Sequence, residues 1–489
     1  MAYVITAPQI LASAAADVEK VGSAISAAYA DAARATTGLL PAAADEVSAA
    51  IATLFGLYSQ EYQAIATQAA AFHSGFTQML AAAGNAYAAA EAANAAALSN
   101  VLGALTAPMD TSGGSAWTSM LASASANPVT ALIMGGTSNP EPDPIYQAAV
   151  NGSYIQRFFP GANFLGVMTP EQFWPVTPQL GNLTFAQSVA RGVTLLNDAI
   201  NATLSPTNNV VVFGYSQSAA IVTNEINALM AMGSPHADQL SFMMIGNPNN
   251  PDGGLLSRFP GFYIPFLDVP FNGATPPNSP YPTTIFTAQY DGIAHAPQYP
   301  LNIASDLNAF LGYFFVHNTY PALTAAQVAN AVPLPTSPGY TGNTQYYMLM
   351  TQDLPLLDLI RAIPYAGPPI ADIFQPDLRV LVDLGYAGYG PGGNYADIPT
   401  PAGLFSVPNP FAVLGNLALG AVQGPYGAAV EIGVEAGLWG PEWFPDTYPW
   451  VPSINPGLNF YFGQPQVTGL SLLSGGLGNV LHLIPPILN

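Results

Sequence analysis

The sequence predicts an α/β chain in two parts: an N-terminal antiparallel helical hairpin, then a domain built on a mostly parallel central sheet. Three observations carry this. The first hundred residues are dominated by alanine, with larger apolar residues at helical spacing. From about residue 128 short β-branched runs alternate with helical patterns, the texture of a parallel sheet covered on both faces. One of those runs feeds directly into Gly214-Tyr215-Ser216-Gln217-Ser218 and a following helix.

In the first part, Thr6-Ala7-Pro8 offers a cap and a proline for the first helical turn. Leu11, Val18 and Ile25 recur every seven residues, as do Ala14, Val21 and Ala28. Thr37-Gly38-Leu39-Leu40-Pro41 interrupts the pattern. A second helix then carries Val47, Ile51, Leu54, Tyr58, Tyr62, Ile65, Phe72, Phe76 and Leu80 at spacings of mostly three and four. Two long helices with a short link form a hairpin only two helices deep. Its aromatic stripe needs cover, from a partner or from the rest of the chain. Residues 1–100 are therefore read as one module, and the Gly-, Ser- and Pro-rich residues 101–127 as a linker.

In the second part, strands are expected at 130–134, 209–213, 242–245 and 283–287, and helices at 186–203, 217–232 and 301–315. The domain spans 128–388. Residues 389–489 are rich in Gly, Pro and aromatic residues without clear periodicity, and are left as an extension of unassigned role.

Composition narrows the function. The 489 residues include 7 Lys and Arg against 28 Asp and Glu, a formal charge of −21. Such a surface repels phosphate backbones, so nucleic-acid binding is not expected. With no cysteine, thiolate catalysis and thiolate metal sites are excluded. The five histidines (His73, His236, His295, His317, His482) are scattered, and neither a metal nor a cofactor is expected. No basic segment followed by an apolar run marks a cleaved Sec signal at the N-terminus, and no clean apolar run reaches the roughly 18 residues of a spanning helix.

The chemistry centres on Ser216. A buried strand, a sharp turn and a helix form a nucleophile elbow, which lifts the serine hydroxyl above the sheet edge. The turn needs small residues two before and two after the serine. Gly214 and Ser218 meet that need, with Ser in place of the usual Gly. In an α/β-hydrolase domain the chain order is nucleophile, acid, histidine. Asp291 follows the strand ending near Gln289, and His317 follows the next helix, so these two are the expected acid and base. His295, four residues beyond Asp291, is the rival base. One oxyanion donor is the amide of Gln217, and Gly135-Gly136-Thr137 after the first strand supplies the second through Gly136 and Thr137. His236 is read as a surface residue, and His73 and His482 as structural.

Taken together these residues resemble the mycobacterial PE proteins that carry a C-terminal PE-PPE hydrolase domain. The resemblance covers about 1–95 and 128–388. Phe72-His73-Ser74-Gly75-Phe76 and Tyr87-Ala88-Ala89-Ala90-Glu91 look like the family's second helix. Tyr87 and Glu91 fit its Tyr-x-x-x-Asp/Glu signal for type VII secretion. Gly135-Gly136-Thr137, the Ser216 elbow, Gly246-Asn247-Pro248-Asn249, Tyr290-Asp291-Gly292-Ile293-Ala294 and Val316-His317 look like successive signatures of the domain, and Leu354–Leu357 and Gln375–Leu378 like its end. The sequence departs from the family at Pro8-Gln9, where the naming Pro-Glu pair stands, and at His295, usually acidic.

The resemblance implies a cutinase- or lipase-like esterase acting on acyl esters, exported to the cell envelope or beyond. It also implies that residues 1–100 pair with a PPE-type helical protein. Two other functions remain open from the sequence. The same acyl-enzyme could pass its acyl group to a sugar or glycolipid acceptor, or the fold could serve as a non-catalytic surface binding protein.

Overall fold

The computed structural model describes residues 8–38, part of 40–70, 127–444, 455–463 and 466–486. It divides into two units, Met1–Leu121 and Ala122–Asn489. In the first, helix α1 spans Pro8–Thr37, with Pro8 at its start, where a missing N–H costs nothing. The described residues between 48 and 70 are helical as well. A Cβ on Gly56 would lie 3.7 Å from the carbonyl oxygen of Thr37, so the chain turns back on itself as a hairpin requires. Tyr87, Glu91, His73 and most of the expected linker lie outside the described residues.

The second unit is built on seven strands: β1 (Val129–Ile133), β2 (Asn163–Gly166), β3 (Asn209–Tyr215), β4 (Leu240–Ile245), β5 (Thr283–Ala288), β6 (Val332–Pro333) and β7 (Thr344–Leu349). Their order across the sheet is β2-β1-β3-β4-β5-β7-β6. All neighbours are parallel except the short edge strand β6, which runs antiparallel to β7. The register places Leu132 beside Val212, Val212 beside Phe242, and Phe242 beside Thr283.

Side chains alternate across a pleated strand, and this sequence is apolar at both parities, so it builds a core on each face. Leu132, Val210, Val212, Phe242, Met244 and Ile285 point to one side, where helices α3 (Phe185–Thr203) and α4 (Gln217–Ala231) cover them with Val189, Leu196, Ile200, Ile221 and Ile226. Ala131, Ile133, Val211, Phe213, Met243, Ile245 and Phe286 point to the other. There helix α2 (Pro144–Val150) and the wider π turn after it supply Val150, Tyr154 and Ile155. The sequence-expected strands and helices fall within a few residues of these bounds.

Helix α5 (Ile303–Phe315) returns the chain from β5 to the carboxyl edge of the sheet. Helices α6 (Pro355–Arg361), α7 (Gly367–Asp383), α8 (Pro410–Glu435) and α9 (Gly469–Leu481) follow β7. The region beyond 388 is thus largely structured and enters the interior. Asn394, Ala396, Asp397 and Thr400 are buried. The Thr400 carbonyl accepts a hydrogen bond from the buried Arg258 guanidinium at 2.6 Å, and Arg258 also pairs with Asp252 at 3.1 Å. Asn455 donates to the carbonyls of Asp383 and Tyr386. No helix among the described residues is long and apolar enough to cross a membrane.

Candidate active site

Strand β3 ends at Tyr215, and α4 starts at Gln217. Ser216 between them adopts φ 56° and ψ −115°, a conformation that costs an L-residue energy and that a tight elbow imposes. Ser218 closes the turn. Its hydroxyl accepts from the Tyr215 N–H at 2.8 Å and lies 3.1 Å from the Tyr215 carbonyl, to which it donates. The serine that replaces the usual glycine therefore ties the elbow together.

Helix α5 is capped at Val316, and a 3₁₀ turn begins at His317. His317 Nε2 lies 2.8 Å from Ser216 Oγ, and Nδ1 lies 2.9 Å from both carboxylate oxygens of Asp291. Asp291 is fully buried. It also accepts from the Ile293 N–H and from the Tyr320 hydroxyl, each at 2.8 Å. Burial alone raises its pKa. The charge of His317 and the hydrogen bonds from His317, Ile293 and Tyr320 outweigh that and hold the carboxyl below its ordinary range. The imidazole packs against two tyrosine rings, Tyr215 at 5.4 Å and Tyr313 at 5.9 Å between centroids. Gly246, at φ 57°, leaves the space its other side needs: a Cβ there would sit 3.0 Å from His317 Cε1.

The loop after β1 comes to the elbow from the neighbouring strand. Gly136 packs so closely on Tyr215 that a Cβ would lie 2.9 Å from its ring. Thr137 Oγ1 donates to Gln217 Oε1 at 2.8 Å, and Gln217 Nε2 donates to the Gln172 carbonyl and to Ser188 Oγ, both at 2.9 Å. The Gln217 side chain is thus a strut between the two segments expected to supply the oxyanion donors. The first turn of α4 presents N–H groups that have no partner within the helix.

The other described histidines stand elsewhere. His295 is buried, its Nδ1 accepts from the Tyr290 N–H at 3.1 Å, and its ring stacks on Tyr386 with centroids 4.6 Å apart. Burial lowers its pKa to about 4, so it is neutral at pH 7. His236 is exposed, and His482 stacks on Tyr263. Among the described residues no three His, Asp or Glu side chains could hold a metal ion.

Residues 4–94 match the PE family, and residues 160–387 match the PE-PPE domain. PE family protein PE3 of Mycobacterium tuberculosis (strain ATCC 25618 / H37Rv) is 59% identical over 490 residues, covering 100% of both chains. The chain belongs to the PE family. Its C-terminal part carries a PE-PPE domain. Another relative, Esterase PE16 of the same strain, is 45% identical over 429 residues, 87% of this chain and 76% of that protein. Among solved structures, a cutinase-like protein from Cryptococcus sp. is 21% identical, covering 35% of this chain and 81% of that one, at a TM-score of 0.27.

Two site features of this PE protein are invisible in its sequence. Tyr320 takes a hydrogen bond from the Ala288 N–H at 2.6 Å while giving its own proton to Asp291. Tyr215 donates to the His317 carbonyl at 2.7 Å. Both brace the Asp291–His317 pair, from positions 29 and 102 residues away. Tyr215 stands inside the elbow motif, but nothing there marks its hydroxyl as a partner of the His317 carbonyl.

Proposed function

We propose that this PE protein is a serine carboxylic ester hydrolase of the esterase or lipase type, with Ser216 as nucleophile, His317 as general base and Asp291 as its orienting acid. The observation that carries the reading is the continuous hydrogen-bond line from Ser216 Oγ through His317 to Asp291, at 2.8 and 2.9 Å. His317 takes the Ser216 proton as Oγ attacks the ester carbonyl, and Asp291 stabilises the imidazolium. The amide of Gln217 and those of Gly136 and Thr137 face the oxyanion. Collapse expels the alcohol, protonated by His317, and leaves an acyl-enzyme that water hydrolyses by the same steps. The esterase relative supports the substrate class.

An apolar ester fits the surroundings. Ile303, Leu307, Phe310 and Phe314 form an exposed stripe along one face of α5, the helix that delivers His317. Phe314 packs on Tyr313 at 5.0 Å, and Tyr313 packs on the imidazole.

Residues 1–100 are proposed to direct export by a type VII system through Tyr87 and Glu91, paired with a PPE-type protein. Membership of the PE family supports this. The enzymatic reading is tested by hydrolysis of p-nitrophenyl esters. Turnover in the wild type that disappears in Ser216→Ala supports it, and equal turnover in the two proteins sinks it.

A further inference from the structure

We propose that Glu171 is a positioning residue: as an uncharged acid it holds the loop 135–139 against the nucleophile elbow. This rests on the ester-hydrolase reading, in which that loop supplies oxyanion donors.

The segment 167–172 forms the backing of that loop. The Val167 N–H donates to the Ile133 carbonyl at 2.8 Å, and the Thr169 N–H to the Pro140 carbonyl at 3.2 Å. The Ser138 N–H donates to the Glu171 carbonyl at 3.0 Å. Ser138 is itself at φ 73° and Glu171 at φ 47°. Two non-glycine residues in the left-handed region, joined by one hydrogen bond, persist only where their surroundings impose it. The next residue, Gln172, receives the Gln217 side chain on its carbonyl and gives its N–H to Ser188 Oγ at 3.0 Å. The backbone of 171–172 is therefore bonded both to the oxyanion loop and to the first residue after the nucleophile.

The side chain carried by this backbone at 171 is a carboxyl group sealed inside the protein, tied to Thr169 of the same segment. Glu171 has no solvent exposure. Oε1 accepts from Thr169 Oγ1 at 2.7 Å, and Oε2 has no partner among the described residues. No Lys, Arg or His of the described residues forms an ion pair with it. The titratable group facing it from a neighbouring element is Tyr146 of α2, which gives its hydroxyl proton to the Met134 carbonyl. A carboxylate offers about four acceptor sites, and here one is used. One donated hydrogen bond leaves a buried anion largely uncompensated, which favours the neutral acid. Burial accordingly raises the Glu171 pKa to about 8, with the Thr169 hydrogen bond opposing.

Ionisation above that pH places an unpaired charge behind the loop. Among the described residues only Thr169 donates to the carboxyl, so a charge there draws in water, and admitting it moves residue 171 and releases Ser138. The oxyanion donors lose their alignment while Ser216, His317 and Asp291 stay in place. Mis-set donors lower kcat by a factor on the order of 10² and change KM little.

The test compares full-length wild type, Glu171→Gln and Glu171→Ala on a soluble p-nitrophenyl ester between pH 6 and 10. Amide exchange of the peptide covering 135–140, corrected for its intrinsic pH dependence, is followed in parallel. We expect wild-type kcat to fall about tenfold per pH unit above about 8, with faster exchange of that peptide. Gln is neutral at every pH and should keep kcat within about threefold at pH 7, with neither the alkaline fall nor the faster exchange. Ala should lose about 10-fold or more in kcat at pH 7 with KM nearly unchanged. The proposal is overturned if Gln shows the same alkaline fall as wild type, if Ala retains full kcat, or if exchange at 135–140 is the same in wild type and Gln at pH 9. Were the wild type to hydrolyse no ester, the function would fail, and exchange would still decide the role of Glu171.

Discussion

Replacing Gly246 by alanine probes the base without touching a reacting atom. The added Cβ would stand 3.0 Å from His317 Cε1, 3.2 Å from the Tyr320 ring and 3.3 Å from the Tyr215 ring. Relaxed carbon contacts lie at about 3.5–4.0 Å, so something must yield by about half an ångström. The imidazole cannot do so freely, being bonded at both nitrogens and flanked by Tyr215 and Tyr313. The left-handed φ of 57° adds about 1–2 kcal/mol of backbone strain. The displaced imidazole lengthens its 2.8 Å bond to Ser216. We expect kcat on a soluble ester to fall about 10- to 100-fold, or about 1.4–2.7 kcal/mol in the barrier. The control is Gly233→Ala, at φ 85° with no atom within 4 Å of its Cβ. It should lose the roughly 1–2 kcal/mol of backbone strain alone and no kcat. Steady-state kinetics beside thermal melts read both. A Gly246→Ala enzyme with kcat within twofold of wild type would refute the claim that this glycine keeps space for the base.

Other outcomes follow from the same geometry. Asp291→Asn keeps the shape and removes the charge that selects the His317 tautomer, so kcat should fall by about 10³–10⁴. Because the folded-state pKa of Asp291 is depressed, its contribution to stability is present above the ordinary carboxylate range and lost as pH falls through the lowered value. The urea unfolding midpoint of the Asn variant should therefore depend less on pH in that window. His295→Gln should stay within about tenfold of wild-type kcat. Since burial lowers the His295 pKa from 6.5 to about 4, the wild type should lose about 3 kcal/mol between pH 6.5 and pH 4 that the Gln variant keeps, measurable by urea unfolding at the two pH values. Replacing Tyr87 and Glu91 together should abolish appearance of the protein in the culture medium while the intracellular protein stays folded. Secretion at the normal level would remove the export role.

The parallel sheet was legible because each strand is a short run of β-branched and large apolar residues bounded by turns. Asn209-Val210-Val211-Val212-Phe213 leading into the elbow is the plainest case. The positions of Ser216, Asp291 and His317 followed from chain order and strand ends, and the structure brings the three together. His295 against His317 could not be decided by spacing alone. In the folded chain Tyr290 turns the loop after β5 at φ 66° and the His295 ring stacks on Tyr386, while His317 is the histidine that lies against Ser216 Oγ.

The region beyond 388 resisted reading for a physical reason. Helix α8 contains Pro425 and five glycines, and it meets α7 through small residues, with Gly424 against the Ile373 carbonyl. Its exposed side also carries Phe411, Leu414 and Val422, so no polar face marks the helical period. Glu171 was silent in the sequence because its meaning lies in burial, and nothing local distinguishes Thr169-Pro170-Glu171 from a surface turn.

The central claim is that Ser216 is the nucleophile and that His317 activates it. It is tested most directly by labelling the full-length protein with a fluorophosphonate probe and mapping the modified residue by peptide mass spectrometry. The account predicts a single stoichiometric adduct on Ser216, absent in Ser216→Ala, slowed by about 10³-fold or more in His317→Ala and unchanged within tenfold in His295→Gln. An adduct on another residue, or labelling at Ser216 as fast without His317 as with it, would contradict the account.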